Sequence, residues 1–80
     1  MTKEEFRRLK TWVKQNYFEI FQQSDDKMIF IKISNDTNIF LWIDGILEIF
    51  REQQETCTML KFPNRTDLQM KQILEGLRDD

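Results

Sequence analysis

Asp44-Gly45 stands between two runs, 39–43 and 46–52, that are dominated by large apolar residues. No other local pattern in the chain leaves the backbone so little freedom. A two-residue Asp-Gly loop suits a type I′ turn, because both central residues take positive φ and the turn's twist matches that of its strands. Such a turn predicts a register. Ile43 would pair with Ile46, Trp42 with Leu47, Leu41 with Glu48, Phe40 with Ile49 and Ile39 with Phe50. Side chains alternate between the faces of a sheet, so Trp42, Leu47, Phe40 and Ile49 share one wholly apolar face, the expected core. Ile39, Leu41, Ile43, Ile46 and Phe50 share the other, interrupted only by Glu48. A sheet with one wet face alternates more cleanly. The second face therefore predicts either a covering helix or a partner-binding surface.

The flanking segments follow their own periods. Thr2 with Glu5 fits a capping box. Phe6, Leu9, Val13, Tyr17 and Ile20 then recur at helical spacing, widened by Trp12, Phe18 and Phe21, which predicts a helix ending near Phe21. Residues 28–34 alternate with period two and β-branched residues, predicting a strand. Asn35-Asp36-Thr37 is turn chemistry. Residues 57–62 predict a fourth strand, ended by Pro63. Thr66 with Gln69 repeats the capping box ahead of Leu68, Met70, Ile73, Leu74 and Leu77, with Gly76 near the end of that second helix. The expected fold is α+β: an N-terminal helix, a three- or four-stranded antiparallel meander and a C-terminal helix packed on the sheet, in one domain over residues 1–80.

A chain of 80 residues forms a single thin core. With one cysteine, Cys57, and no histidine, it builds no internal disulfide and none of the familiar zinc sets. Stability must come from apolar packing. The seven Phe, two Trp and four Met bury much area per residue, and some of that burial is expected against a partner. The absence of Ala beside abundant Ile, Lys, Asn and Phe points to an AT-rich coding sequence, as in a low-GC bacterium, phage or mobile element. No export signal is evident, and no stretch approaches the ~20 apolar residues that span a bilayer. With its unpaired thiol, the chain reads as cytoplasmic, with no membrane partner.

Chemistry is scarce. Without histidine there is no Ser–His or Cys–His pair. Cys57, in an apolar strand, reads as a small buried hydrophobe. Gly45 belongs to the hairpin, and no glycine-rich phosphate loop exists. Asp25-Asp26 and Asp79-Asp80 read as solvated turn and tail residues, and so short a chain hardly encloses a carboxylate pair in a cleft. We expect no enzyme activity, no cofactor and no metal. Trp42 and the Phe residues fit core positions better than base-stacking platforms.

The net charge is -2, unevenly spread: residues 1–22 carry five basic and three acidic side chains, the remainder seven and eleven. Lys3, Arg7, Lys10 and Lys14 recur by four, three and four and share a helix face, with Arg8 beside it. The usual meaning is a solvated face; the functional one is an anion- or nucleic-acid-binding stripe. The helix–strands–helix order resembles the double-stranded RNA-binding domain in topology. That resemblance implies lysines at the start of the final helix, where this chain has Asn64-Arg65-Thr66-Asp67-Leu68-Gln69-Met70-Lys71, with Asp67 in place of positive charge. The leading expectation is a non-enzymatic protein–protein interaction module, an adaptor, inhibitor or regulatory subunit that binds another protein or itself as a homodimer. The competing one is a nucleic-acid-binding domain using the first helix.

Overall fold

The computed structural model describes residues 1–16, 19–20 and 26–79. Two helices, α1 (Lys3–Asn16) and α2 (Asp67–Asp79), bracket strands β1 (Glu19–Ile20), β2 (Met28–Lys32), β3 (Thr37–Trp42), β4 (Ile46–Arg51) and β5 (Thr56–Lys61). The strands form one antiparallel sheet in the order β1-β2-β3-β4-β5. The expected α+β meander is therefore present, with a short extra strand at its edge.

Both capping boxes form. The Thr2 N–H donates to Glu5 Oε1 and the Glu5 N–H to Thr2 Oγ1, each at 3.1 Å. The Thr66 N–H donates to Gln69 Oε1 at 2.9 Å and the Gln69 N–H to Thr66 Oγ1 at 3.3 Å. These bonds satisfy N–H groups that a helix start leaves without an internal partner.

Helix α1 is shorter than its apolar recurrence predicts. It ends at Asn16, whose side-chain amide donates to the Trp12 carbonyl at 2.9 Å. Glu19 and Ile20 pair with Lys32 and Ile31 instead of continuing the helix. Pairing on β2 satisfies their backbone, and a β-branched residue suits it. Tyr17, Phe18 and Phe21 lie outside the described residues. At the other end α2 passes Gly76 and runs to Asp79, and Leu68 leaves the predicted stripe, being 64% exposed.

The central hairpin departs most from expectation. Leu41 pairs with Leu47, Phe40 with Glu48 and Ile39 with Ile49, one residue away from the type I′ register. The backbone explains the shift. A type I′ turn needs positive φ at Asp44 as well as Gly45, yet Asp44 is not among the positive-φ residues, whereas Gly45 has φ +93°. The Gly45 N–H bonds the Trp42 carbonyl at 2.9 Å. Ile43 and Asp44 thus turn the chain and Gly45 supplies the left-handed third residue, a three-residue loop. Only glycine fits, because a Cβ there would lie 2.3 Å from the Phe62 carbonyl oxygen.

A one-residue slip moves one strand's side chains to the other face relative to its neighbour, so β3 changes face while Leu47 and Ile49 of β4 stay in the core, as expected. The core consists of Ile29, Ile31, Ile33, Ile39, Leu41, Leu47 and Ile49 from the sheet, Phe6, Leu9 and Val13 from α1, and Met70 and Leu74 from α2. Both helices cover this one face. Ile39 and Leu41, expected on a partner-binding face, have no exposed surface, and Ile43 packs against the core edge. Ile46 and Phe50 fall on the opposite face, together with Trp42 and Phe40, which the type I′ register had assigned to the core.

The helices lie side by side and parallel. Arg8 Nε donates to Asp67 Oδ2 at 3.3 Å near their starts. Midway, Lys71 Nζ sits 5.8 Å from the Trp12 ring centroid. Near their ends, Arg78 Nη1 donates to the Asn16 carbonyl at 2.8 Å.

Candidate functional site

The sheet face away from both helices carries three of the four exposed large hydrophobic side chains among the described residues, Trp42, Phe50 and Met59. The register arranges it in rows across the strands. Met28 lies opposite Trp42, and Ile46 opposite Lys61. Phe30, Phe40, Glu48 and Met59 form the middle row, and Lys32, Asn38, Phe50 and Cys57 the third. Phe30 and Phe40 stack with ring centroids 4.3 Å apart and planes within 7°, a favourable aromatic pairing. Trp42, Phe50 and Met59 are 37%, 40% and 55% exposed. Cys57, expected to be buried, is exposed, because β5 carries it onto this outer face. Glu48 is the one charge in the middle row, flanked by Phe40 and Met59.

The residues predicted for partner binding are therefore not brought together. Ile46 and Phe50 reach the outer face; Ile39, Leu41 and Ile43 do not. Met28, Phe30, Phe40, Trp42 and Met59 take their place. Period-two alternation in β2 to β4 carried Met28, Phe30, Phe40, Trp42, Ile46 and Phe50 of this face, with the turn type deciding which half was core, and β5 adds Met59.

The basic residues of α1 lie outside the core. Lys3, Arg7, Arg8 and Lys14 are exposed and Lys10 is half-buried. Lys3, Arg7 and Lys10 meet around a shallow depression with Phe6 and Asp26. A second, more open one is lined by Arg7, Arg8, Thr11, Trp12, Gln15 and Lys71. Arg8 is engaged by Asp67, itself buried. At the start of α2 the Asp67 N–H donates to Glu5 Oε2 at 3.4 Å. That helix end, where the RNA-binding resemblance implies lysines, is thus turned toward α1 and already supplied with an acceptor. The Thr2 backbone N–H, then the Thr2 hydroxyl and the Asp67 N–H, hold the Glu5 carboxyl below its ordinary value.

A cavity of about 260 Å³ lies where the ends of β2, β3 and β4 meet α2, lined by residues that include Ile33, Asp36, Arg51, Leu77 and Arg78. It is smaller than most pockets that enclose a cofactor or substrate. Asp36 is occupied there, accepting the Gln53 N–H at 2.6 Å. Among the described residues no group of three or more His, Cys, Asp or Glu side chains converges on a metal site, and no helix is long and apolar enough to cross a membrane. No family model, curated protein or solved structure matches this chain.

Proposed function

We propose that the protein is a non-enzymatic protein–protein interaction module that docks a partner on the outer face of its sheet. One observation carries the reading. On the side of the sheet away from both helices, Trp42, Phe50 and Met59 are exposed and Met28, Phe30, Phe40 and Ile46 half-buried, an apolar group broken only by Glu48 among the described residues of its middle rows. Surfaces of this kind mark interaction sites, and Trp, Phe and Met are enriched at the centres of interfaces. The partner is another protein or a second copy of the chain, in the manner of an adaptor, inhibitor or regulatory subunit.

The test uses a Trp42→Ser, Phe50→Ser double variant. Both side chains are more than a third exposed, so the variant keeps the wild-type circular dichroism spectrum. We expect it to lose the apolar-dye fluorescence of the wild type and the proteins that wild type retains from lysate of the source cells. A variant that retained the same proteins as strongly would refute the reading.

The open depression of Arg7, Arg8, Trp12 and Lys71 supports a second reading, binding of nucleic acid along α1. It is the weaker one, because Arg8 is committed to Asp67 and Asp26 lies beside Lys3, Arg7 and Lys10. Phosphate contacts depend on such cations and weaken steeply with salt. Reversing Lys3, Arg7, Lys10 and Lys14 would abolish any salt-dependent shift of RNA or DNA under this reading and leave it unchanged under the first.

A further inference from the structure

The geometry points to the free edge of β5 as a self-pairing site, through which two copies join their sheets about a two-fold axis centred on Thr58. The proposal stands apart from whatever docks on the outer face. Among the described residues β5 is paired only with β4, and every residue of it except Leu60 is exposed.

The ladder determines which backbone groups are available. The Phe62 N–H donates to the Gly45 carbonyl at 2.9 Å, which makes Gly45 and Phe62 a hydrogen-bonded pair. Such pairs alternate along an antiparallel ladder. The backbones of Thr56, Thr58 and Leu60 therefore point to β4, and those of Cys57, Met59 and Lys61 point away from the sheet. Natural edge strands are usually blunted by charged side chains, above all Lys, by proline, a bulge or very short length. β5 carries only Lys61, at its end, and its run from Thr56 to Leu60 has none of these devices, while among the described residues the opposite edge carries only the two-residue β1.

Charge selects the occupant and the register. Glu55 precedes β5 and Lys61 ends it, and neither has an ion pair among the described residues. In an antiparallel pairing of β5 with itself about Thr58, Glu55, the left-handed turn residue (φ +51°) just before the strand, comes beside the partner's Lys61 at the end of the pairing, and the two-fold repeats the contact. Cys57 then exchanges main-chain bonds with the partner's Met59, and Met59 with the partner's Cys57, about four bonds in all. A shift that places Met59 opposite itself sets Lys61 against Cys57, with no acid to meet it. In the Thr58-centred register Cys57 and the partner's Met59 also share the outer face, so the apolar surface runs on from one copy to the next. Closed two-fold assemblies are the commonest among homo-oligomers, and strand addition to a free edge is a recurrent mode of recognition.

Sedimentation of the full chain over a range of concentrations tests the proposal. Wild type is expected to dimerise. Lys61→Glu alone and Glu55→Lys alone each replace two attractive contacts with two repulsive ones and weaken the dimer by roughly tenfold. The double swap restores dimerisation to within about threefold of wild type, since only the signs are exchanged. In a Cys57→Ser background, Thr58→Cys should form a covalent dimer on mild oxidation, because that position faces itself in a close, non-hydrogen-bonded pair. A wild type that stays monomeric, single variants that dimerise as well as wild type, a double swap that fails to restore pairing, or a Thr58→Cys chain that does not cross-link would each overturn it. Loss of dimerisation in Trp42→Ser, Phe50→Ser with the edge variants unaffected would instead place self-association on the outer face.

Discussion

Gly45 determines more than its size suggests. Its N–H closes the turn onto Trp42, its carbonyl receives the Phe62 N–H, and its φ is one that residues with a Cβ rarely adopt. Gly45→Ala is expected to cost at least about 2 kcal/mol in urea denaturation, since the new methyl group must also displace the Phe62 carbonyl. Glu5 is the other residue with an outsized role, joining its own helix start to that of α2. Hydrogen bonding lowers its carboxyl pKa. A group depressed in the folded state contributes stability above its unfolded pKa and loses it as pH falls through the folded value. Glu5→Gln should therefore melt below wild type at neutral pH, with the difference closing in acid. A gap in melting temperature that stayed constant with pH would show that the charge is irrelevant.

At the scale of elements, the sequence makes most of the fold legible. Thr2 with Glu5 and Thr66 with Gln69 mark both helix starts, and the alternation of Ile29, Ile31 and Ile33 marks the core strand. The candidate surface was legible only as half of a pair of apolar faces. Asp-Gly is compatible with a two-residue and a three-residue loop, and the difference is the φ of Asp44, which residue identity does not reveal. Helix α1 failed differently: Ile20 satisfies a helical stripe and a strand equally well, and pairing with β2 decides the matter. The observed register has an energetic signature. Leu41→Ala should cost about 2–5 kcal/mol, as for a fully buried leucine, and Trp42→Ala less, despite the larger ring. The reverse order in thermal or urea denaturation would restore the type I′ register.

Among the described residues the whole molecule has two layers, sheet and helices, with the helices on one face of the sheet and aromatic and sulfur-bearing side chains on the other. Self-pairing at β5 would leave that open face available and extend it. Anything that binds only the folded state adds to its stability by mass action. The melting temperature of wild type should thus rise with protein concentration, and that of Lys61→Glu should be lower at each concentration and begin to rise only at roughly tenfold higher concentration. A concentration-independent wild-type melting temperature would indicate a monomer throughout the transition.

The parallel helix pair also bears on the order in which the molecule assembles. Each long strand pairs with its neighbour in sequence, so the meander closes only short loops, whereas Arg8 and Asp67 meet across 59 residues and Asn16 and Arg78 across 62. Contacts between distant parts of a chain are entropically costly to make early. The sheet should consolidate first and the two helices should meet late, after the rate-limiting step. A change confined to a late contact appears in the unfolding rate alone. Asp67→Asn should therefore speed unfolding in stopped-flow measurements and leave the refolding rate as it is; slowed refolding would instead put the meeting of the chain's two ends at the start of folding.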